Sequence, residues 1–196
     1  VGDKLFFRGN TAAYGTEVMV TDCTAAGTHV IDTYWNGSSN PTWLVPAGDR
    51  LYFLSYNPVG GRSLWQTDGT TTVAITGVIA AGTISWLGAF GRGCVFGYNN
   101  PLLGQGEEPW YTDGTVAGTV MLADLFPGLA GSEPEDIVAL GDRCFFTART
   151  QLGFTRNLFV TDGTPAGTHE FFAGHPGAPT NFDRLVVVRD QLFFAA

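Results

Sequence analysis

One nine-residue unit returns along this chain and limits what it can fold into. Tyr111-Thr112-Asp113-Gly114-Thr115-Val116-Ala117-Gly118-Thr119 is matched by Val160-Thr161-Asp162-Gly163-Thr164-Pro165-Ala166-Gly167-Thr168 and by Val20-Thr21-Asp22-Cys23-Thr24-Ala25-Ala26-Gly27-Thr28. A reduced copy is Gln66-Thr67-Asp68-Gly69-Thr70-Thr71-Thr72-Val73. The aspartates are spaced 68−22=46, 113−68=45 and 162−113=49. Repeats of this length are those of propeller blades, each a small antiparallel sheet of four strands.

A second landmark runs in register with the first. Gly2-Asp3-Lys4-Leu5-Phe6-Phe7, Gly48-Asp49-Arg50-Leu51-Tyr52-Phe53 and Gly141-Asp142-Arg143-Cys144-Phe145-Phe146 share a Gly-Asp turn followed by an apolar strand. Looser copies begin at Gly91 and Arg189. Glycine accepts positive φ and aspartate bonds the following backbone, so each copy predicts a tight hairpin. In the third full unit the strands fall at 136–140, 144–147, 157–161 and 168–172, and 185–188 opens the next unit. No segment has helical apolar spacing with caps.

The chain is therefore expected to be all-β, a single β-propeller of about four four-stranded antiparallel blades plus one extra strand. The repeats run approximately 1–47, 48–90, 91–140 and 141–188, with 189–196 a closing or surplus strand. Leu185 to Val188 is positioned to supply the missing inner strand beside Leu5 to Phe7. If 191–196 is left over, homo-oligomerisation or incorporation in a larger assembly follows, because an unpaired edge strand seeks a partner.

Composition narrows the function. Glycine is abundant, with 27 residues, and 13% of residues are aromatic against 14% charged, which suits many short strands and tight turns. A formal net charge of −8 with only ten scattered basic residues excludes a nucleic-acid surface. No apolar run approaches the roughly 20 residues of a membrane helix, so membrane insertion is not expected. Val1-Gly2-Asp3-Lys4 reads directly into a strand rather than as a signal peptide, the expectation for a trimmed precursor or a piece of a longer chain. Cys23, Cys94 and Cys144 form no C-x-x-C pair and predict neither a metal site nor a disulfide framework. Cys94 and Cys144 replace the leucine of the second landmark and read as buried. Cys23 replaces the turn glycine and reads as exposed.

With these residues in view the chain resembles the bacterial ELWxxDGT-repeat proteins. Ser63-Leu64-Trp65-Gln66-Thr67-Asp68-Gly69-Thr70 carries the core of that motif, followed by Glu108-Pro109-Trp110-Tyr111-Thr112-Asp113-Gly114-Thr115. The associated loop is kept best in Asp124-Leu125-Phe126-Pro127-Gly128-Leu129-Ala130-Gly131-Ser132-Glu133-Pro134. The resemblance implies a propeller-like fold and a secreted or cell-surface location, with no defined activity. Glu17-Val18-Met19 and Cys23 depart from the pattern.

Asp22, Asp68, Asp113 and Asp162 are the recurring carboxylates. They read as turn acceptors bonded to their own backbone, with Ca²⁺ ligation as the alternative. Trp65, Trp110 and Phe159 share one strand position and read as core. His29 and His169 are equivalent surface-strand positions without metal spacing, and His175 stands alone. Glu107-Glu108 and Glu133-Pro134-Glu135-Asp136 read as solvated acids. The loops 34–42, 80–85, 126–135 and 174–183 gather at a propeller mouth, where ligands bind. From them Trp35, Asn36, Ser39, Asp124, Ser132, Glu133 and Asp183 are the expected ligand-binding residues. The function expected is a non-enzymatic binding or structural module contacting a protein or polysaccharide. The alternative is a carbohydrate-active enzyme using Asp124, Glu133 and Asp183.

Overall fold

A computed structural model describes residues 1–31, 37–57, 61–75, 82–150, 155–173 and 180–196. Trp35, Asn36, His175 and most of the 174–183 loop lie outside the described residues. The chain divides into two compact units, Val1–Ala81 and Gly82–Ala196.

The first unit holds two antiparallel sheets. One is β1 (Leu5–Thr11), β2 (Gly15–Thr21) and β3 (His29–Ile31) in that order. The other is β4 (Thr42–Ala47), β5 (Arg50–Asn57), β6 (Gly61–Thr67) and β7 (Thr72–Ala74). Val18, Val20 and Ile31 of the first sheet pack on Leu51 and Phe53 of the second, with Phe6 and Leu44 against them.

The second unit holds two four-stranded sheets and a hairpin. β8 (Thr83–Phe90), β9 (Gly93–Asn99), β10 (Glu107–Thr112) and β11 (Val120–Met121) form one sheet. β12 (Glu135–Leu140), β13 (Arg143–Ala148), β14 (Asn157–Thr161) and β15 (His169–Glu170) form the next, and β16 (Asp183–Val188) pairs with β17 (Gln191–Ala195). Each sheet lays the same positions on its neighbour. Phe90 and Val95 meet Cys144 and Ile137, and Phe145 and Val160 meet Leu185 and Leu192. The approach is close enough that a methyl group on Gly88 would collide with the Ile137 side chain.

The expected strand order and periods are therefore present, and the β12–β15 boundaries match those read from sequence to within a few residues. One pairing differs. Leu185–Val188 bonds to the chain's own last strand, with Val186 opposite Phe193 and Val188 opposite Gln191. A two-residue hairpin closes at far smaller entropic cost than a pairing with the other end of the chain. Residues 191–195 are accordingly the second strand of that hairpin rather than surplus.

The hairpin turns carry φ near +60° at Gly48, Gly91 and Gly141, the conformation that favours glycine, and Arg189 occupies the same place at φ 57. Inner strands have a register shift between Thr42 and Val45, Glu135 and Val138, and Asp183 and Val186. Trp43, Asp136 and Arg184 sit at these shifts with φ of 54, 50 and 54. They are bulge residues, and nothing in their side chains announces it.

Candidate functional site

The recurring aspartates are accounted for within their own turns. Asp113 Oδ1 accepts the Thr115 N–H at 2.8 Å and its hydroxyl at 2.7 Å. Asp22 does the same with Thr24, and Asp162 with Thr164. The Thr115 hydroxyl also accepts the Gly118 N–H at 2.9 Å, and Thr119 donates to the Thr115 carbonyl at 2.6 Å. A Cβ on Gly27, Gly118 or Gly167 would fall on the aspartate carboxylate, which explains the second glycine of the unit. Asp68, whose copy lacks that glycine, accepts the N–H groups of Thr70 and Thr71, each at 2.7 Å. Hydrogen bonds from Thr24 and Thr164 hold Asp22 and Asp162 below the ordinary carboxylate value, and the Thr71 and Thr70 backbone does so for Asp68. The turn reading describes all four. Among the described residues no group of three or more His, Cys, Asp or Glu side chains is placed to hold a metal ion.

At the other end of the same strands lies a second recurring device. Glu108 is buried, 1% exposed, and so is Ser132. Glu108 Oε1 accepts the Ser132 N–H at 3.0 Å, and its Oε2 accepts the Ser132 hydroxyl at 2.7 Å and the Leu125 N–H at 2.9 Å. One carboxylate thus pins both ends of the 125–132 loop. Glu17 and Ser39 repeat the arrangement in the first unit: the Ser39 N–H donates to Glu17 Oε1 at 2.6 Å and its hydroxyl donates to Oε2. Ser39 and Ser132, expected to bind ligand, are instead consumed as loop clasps. Glu108, expected to be solvated, is buried because three loop donors replace its water. The sequence contained a signal in that Glu17 and Glu108, at the same repeat position, each have a serine 22 to 24 residues on.

The acids between β10 and β12 join two arginines. Glu133 is paired with Arg149, and Arg156 bonds Glu135 while its Nη1 donates to the Glu133 carbonyl at 2.6 Å. Glu107 accepts the Ser85 hydroxyl, and burial pushes its carboxyl above the ordinary value of 4.5, with Glu135 adding to the rise. Burial also raises Glu108, against the hydrogen bonds it receives. Asp124 accepts the Gln105 side-chain amide at 3.1 Å. Asp183 is exposed beside Arg184, 3.7 Å from Nε. Glu133, Asp124 and Asp183 are therefore engaged with three different partners and share no hydrogen bond among these contacts.

Other candidates fall where the sequence suggests. Trp110 and Phe159 are buried and Trp65 is half-buried, while His29 and His169 are exposed. Cys94 and Cys144 are fully buried and Cys23 is exposed. Burial raises the thiol pKa of both buried cysteines, that of Cys144 to about 12. What sequence reasoning missed is the surface of the two loops beside the clasp, where Leu102, Leu103 and Leu129 stand exposed.

Antiparallel blades of this form, without helices among the described residues, define an all-β propeller-type protein. Two solved structures share the fold. One comes from a structural and mechanistic study of two prolyl endopeptidases, with TM-score 0.55 and 11% identity over 96% of this chain. The other is oligopeptidase B from Trypanosoma brucei with covalently bound antipain, with TM-score 0.51 and 12% identity over 89%. This chain spans 28% and 26% of their lengths. No protein-family profile and no curated protein matches it.

Proposed function

We propose that the chain is a non-enzymatic binding or structural module of the ELWxxDGT-repeat kind. It acts at the bacterial cell surface or after secretion and contacts a protein or polysaccharide partner. The observation that carries this reading is the fate of its recurring polar groups. The four turn aspartates, Glu17 and Glu108 are each spent on backbone and hydroxyl donors of their own loops. What repeats is folding chemistry, and contacts are left to loop surfaces. Immobilised chain challenged with glycan and bacterial surface-protein arrays tests it. Saturable binding without turnover is expected, and turnover that depends on one acid–base pair would overturn it.

One observation favours a second reading, a carbohydrate-active enzyme. Glu107 is held toward the protonated form by burial, close to Glu135, which Arg156 pairs. Two carboxyls in unlike environments can divide acid and base roles. Hydrolysis of a glycan panel, lost in Glu107→Gln or Glu133→Gln, would support it; no turnover at high protein concentration disposes of it.

A third reading, a subunit of a larger assembly, is favoured by the β16–β17 hairpin. Val186, Val188 and Phe193 are about half exposed, whereas Val138, Leu140 and Phe145 at the same positions one sheet earlier pack beneath Leu185 and Leu192. Native mass in solution tests this, and a concentration-independent monomer rejects self-assembly.

A further inference from the structure

Leu102 is 77%, Leu103 53% and Leu129 82% exposed. A single exposed leucine is ordinary, but these three stand on two loops fastened to each other. The β9–β10 connection turns tightly on Asn100, whose side chain accepts the Leu102 N–H at 3.0 Å and whose carbonyl accepts the Leu103 N–H at 3.2 Å. The Gly106 N–H donates to the Gly128 carbonyl at 2.7 Å, one residue from Leu129. Gly106 and Gly131 approach so closely that neither has room for a Cβ. The Glu108 carboxylate then anchors the second loop at Leu125 and Ser132. The apolar side chains are thus carried on a braced support, so little ordering entropy is lost when they are covered.

We propose that this two-loop platform is a docking surface for a protein partner that presents an apolar side chain bordered by lysine or arginine. This rests on the binding-module reading and selects the protein over the polysaccharide. Sugars stack on flat aromatic rings, and the platform offers branched aliphatic side chains instead. Charge chooses the partner's border. From Gly93 to Asp142 the chain contains no lysine or arginine, and Asp124 lies on the platform through its bond to Gln105. The chain as a whole carries a formal net charge of −8. Arg149 and Arg156 beside the second loop are taken up by Glu133 and Glu135, so Asp124 and the net negative charge disfavour an anionic lipid surface and steer a cationic protein surface toward the leucines.

The test uses the whole chain and a labelled synthetic peptide with leucines on one helical face and lysines on the other, read by fluorescence anisotropy. A counterpart with glutamates for lysines, and anionic and neutral lipid vesicles, are run beside it. Saturable binding of the Leu/Lys peptide is expected, weakened about tenfold or more in a Leu102→Ser/Leu129→Ser variant whose thermal midpoint is unchanged. The Leu/Glu peptide should bind far more weakly. Undiminished Leu/Lys binding by the variant would reduce the interaction to general electrostatics and overturn the proposal. Leucine-dependent binding to vesicles would overturn it in favour of a membrane surface. If no peptide binds while the glycan array does, the protein-docking proposal fails and the binding-module reading stands; failure of both removes both.

Discussion

Ser132 donates both its backbone N–H and its hydroxyl to the carboxylate of Glu108, 24 residues earlier in the chain. With Leu125 donating to the same group, a side chain at the start of β10 fixes the loop that leads into β12. Ser132 keeps the Glu107 carbonyl as a second acceptor for both its donors, so removing the carboxylate costs its bonds to Ser132 and takes away the acceptor of the Leu125 N–H. Glu108→Ala is expected to cost about 2 kcal/mol and Ser132→Ala about 1 kcal/mol. The double variant should lose less than the sum, since the two share their bonds. Urea unfolding of the four proteins checks this, and strict additivity would mean the clasp is not a coupled pair.

The glutamates give the pH dependence its direction. Glu107 and Glu108 are raised above 4.5 by burial, so the folded chain holds their protons more tightly than the unfolded chain does. Their contribution is fully present below 4.5 and is lost as pH rises through the raised folded values. Asp22, Asp68 and Asp162 are lowered from 3.8, so theirs is present above 3.8 and is lost as pH falls through the lowered values. The thermal midpoint should accordingly fall between pH 4.5 and neutrality. Glu107→Gln should fall less. A midpoint that rises over that range, or equal falls in both proteins, would contradict the assignment.

If the repeated aspartates serve turns, an isosteric amide should serve nearly as well. Asp113→Asn keeps an oxygen where Thr115 donates and should change stability by less than about 0.5 kcal/mol, while Asp113→Ala loses about 1–2 kcal/mol. Gly118→Ala, which puts a methyl group on the Asp113 carboxylate, should cost about 1–3 kcal/mol. Calorimetry with and without added Ca²⁺ completes the comparison. A Ca²⁺-dependent midpoint abolished by Asp113→Asn would replace the turn reading with a metal site.

Cys23 stands where the other three turns carry glycine, and it bears the conformation that position demands. Its φ is 72, beside 84, 93 and 89 at Gly69, Gly114 and Gly163. Cys23→Gly should therefore stabilise the first unit by about 0.5–1 kcal/mol, the relief of left-handed strain less the extra freedom glycine gives the unfolded chain. A destabilised variant would show the Cys23 side chain to be in use.

The thiols report packing. In the folded chain only Cys23 is accessible, and the buried Cys94 and Cys144 have raised pKa values. A colorimetric thiol reagent should find one fast equivalent in native protein and three in denaturant. Fast reaction of Cys144 would mean that the sheet carrying it opens readily.

The turns were legible in the sequence because every bond in them is local. Asp113, Thr115, Gly118 and Thr119 need only one another, so the residue pattern contains the hydrogen-bond pattern. The hairpins opening at Gly48 and Gly141, and the burial of Cys94 and Cys144, followed from the same periodicity. Sequence alone misread the acids, since Glu107 and Glu108 both look solvated until Ser85 of β8 and Ser132 of a distant loop arrive beside them. Tertiary structure also decided the partner of Leu185–Val188 and the bulges at Trp43, Asp136 and Arg184, where residues that disfavour positive φ are held there by the strand pairing on either side. It decided the leucine platform as well, through the Gly106–Gly128 bond between loops that no periodic pattern connects. Short-range hydrogen bonds are written in residue order, whereas desolvation and loop-to-loop contact depend on what the fold brings alongside.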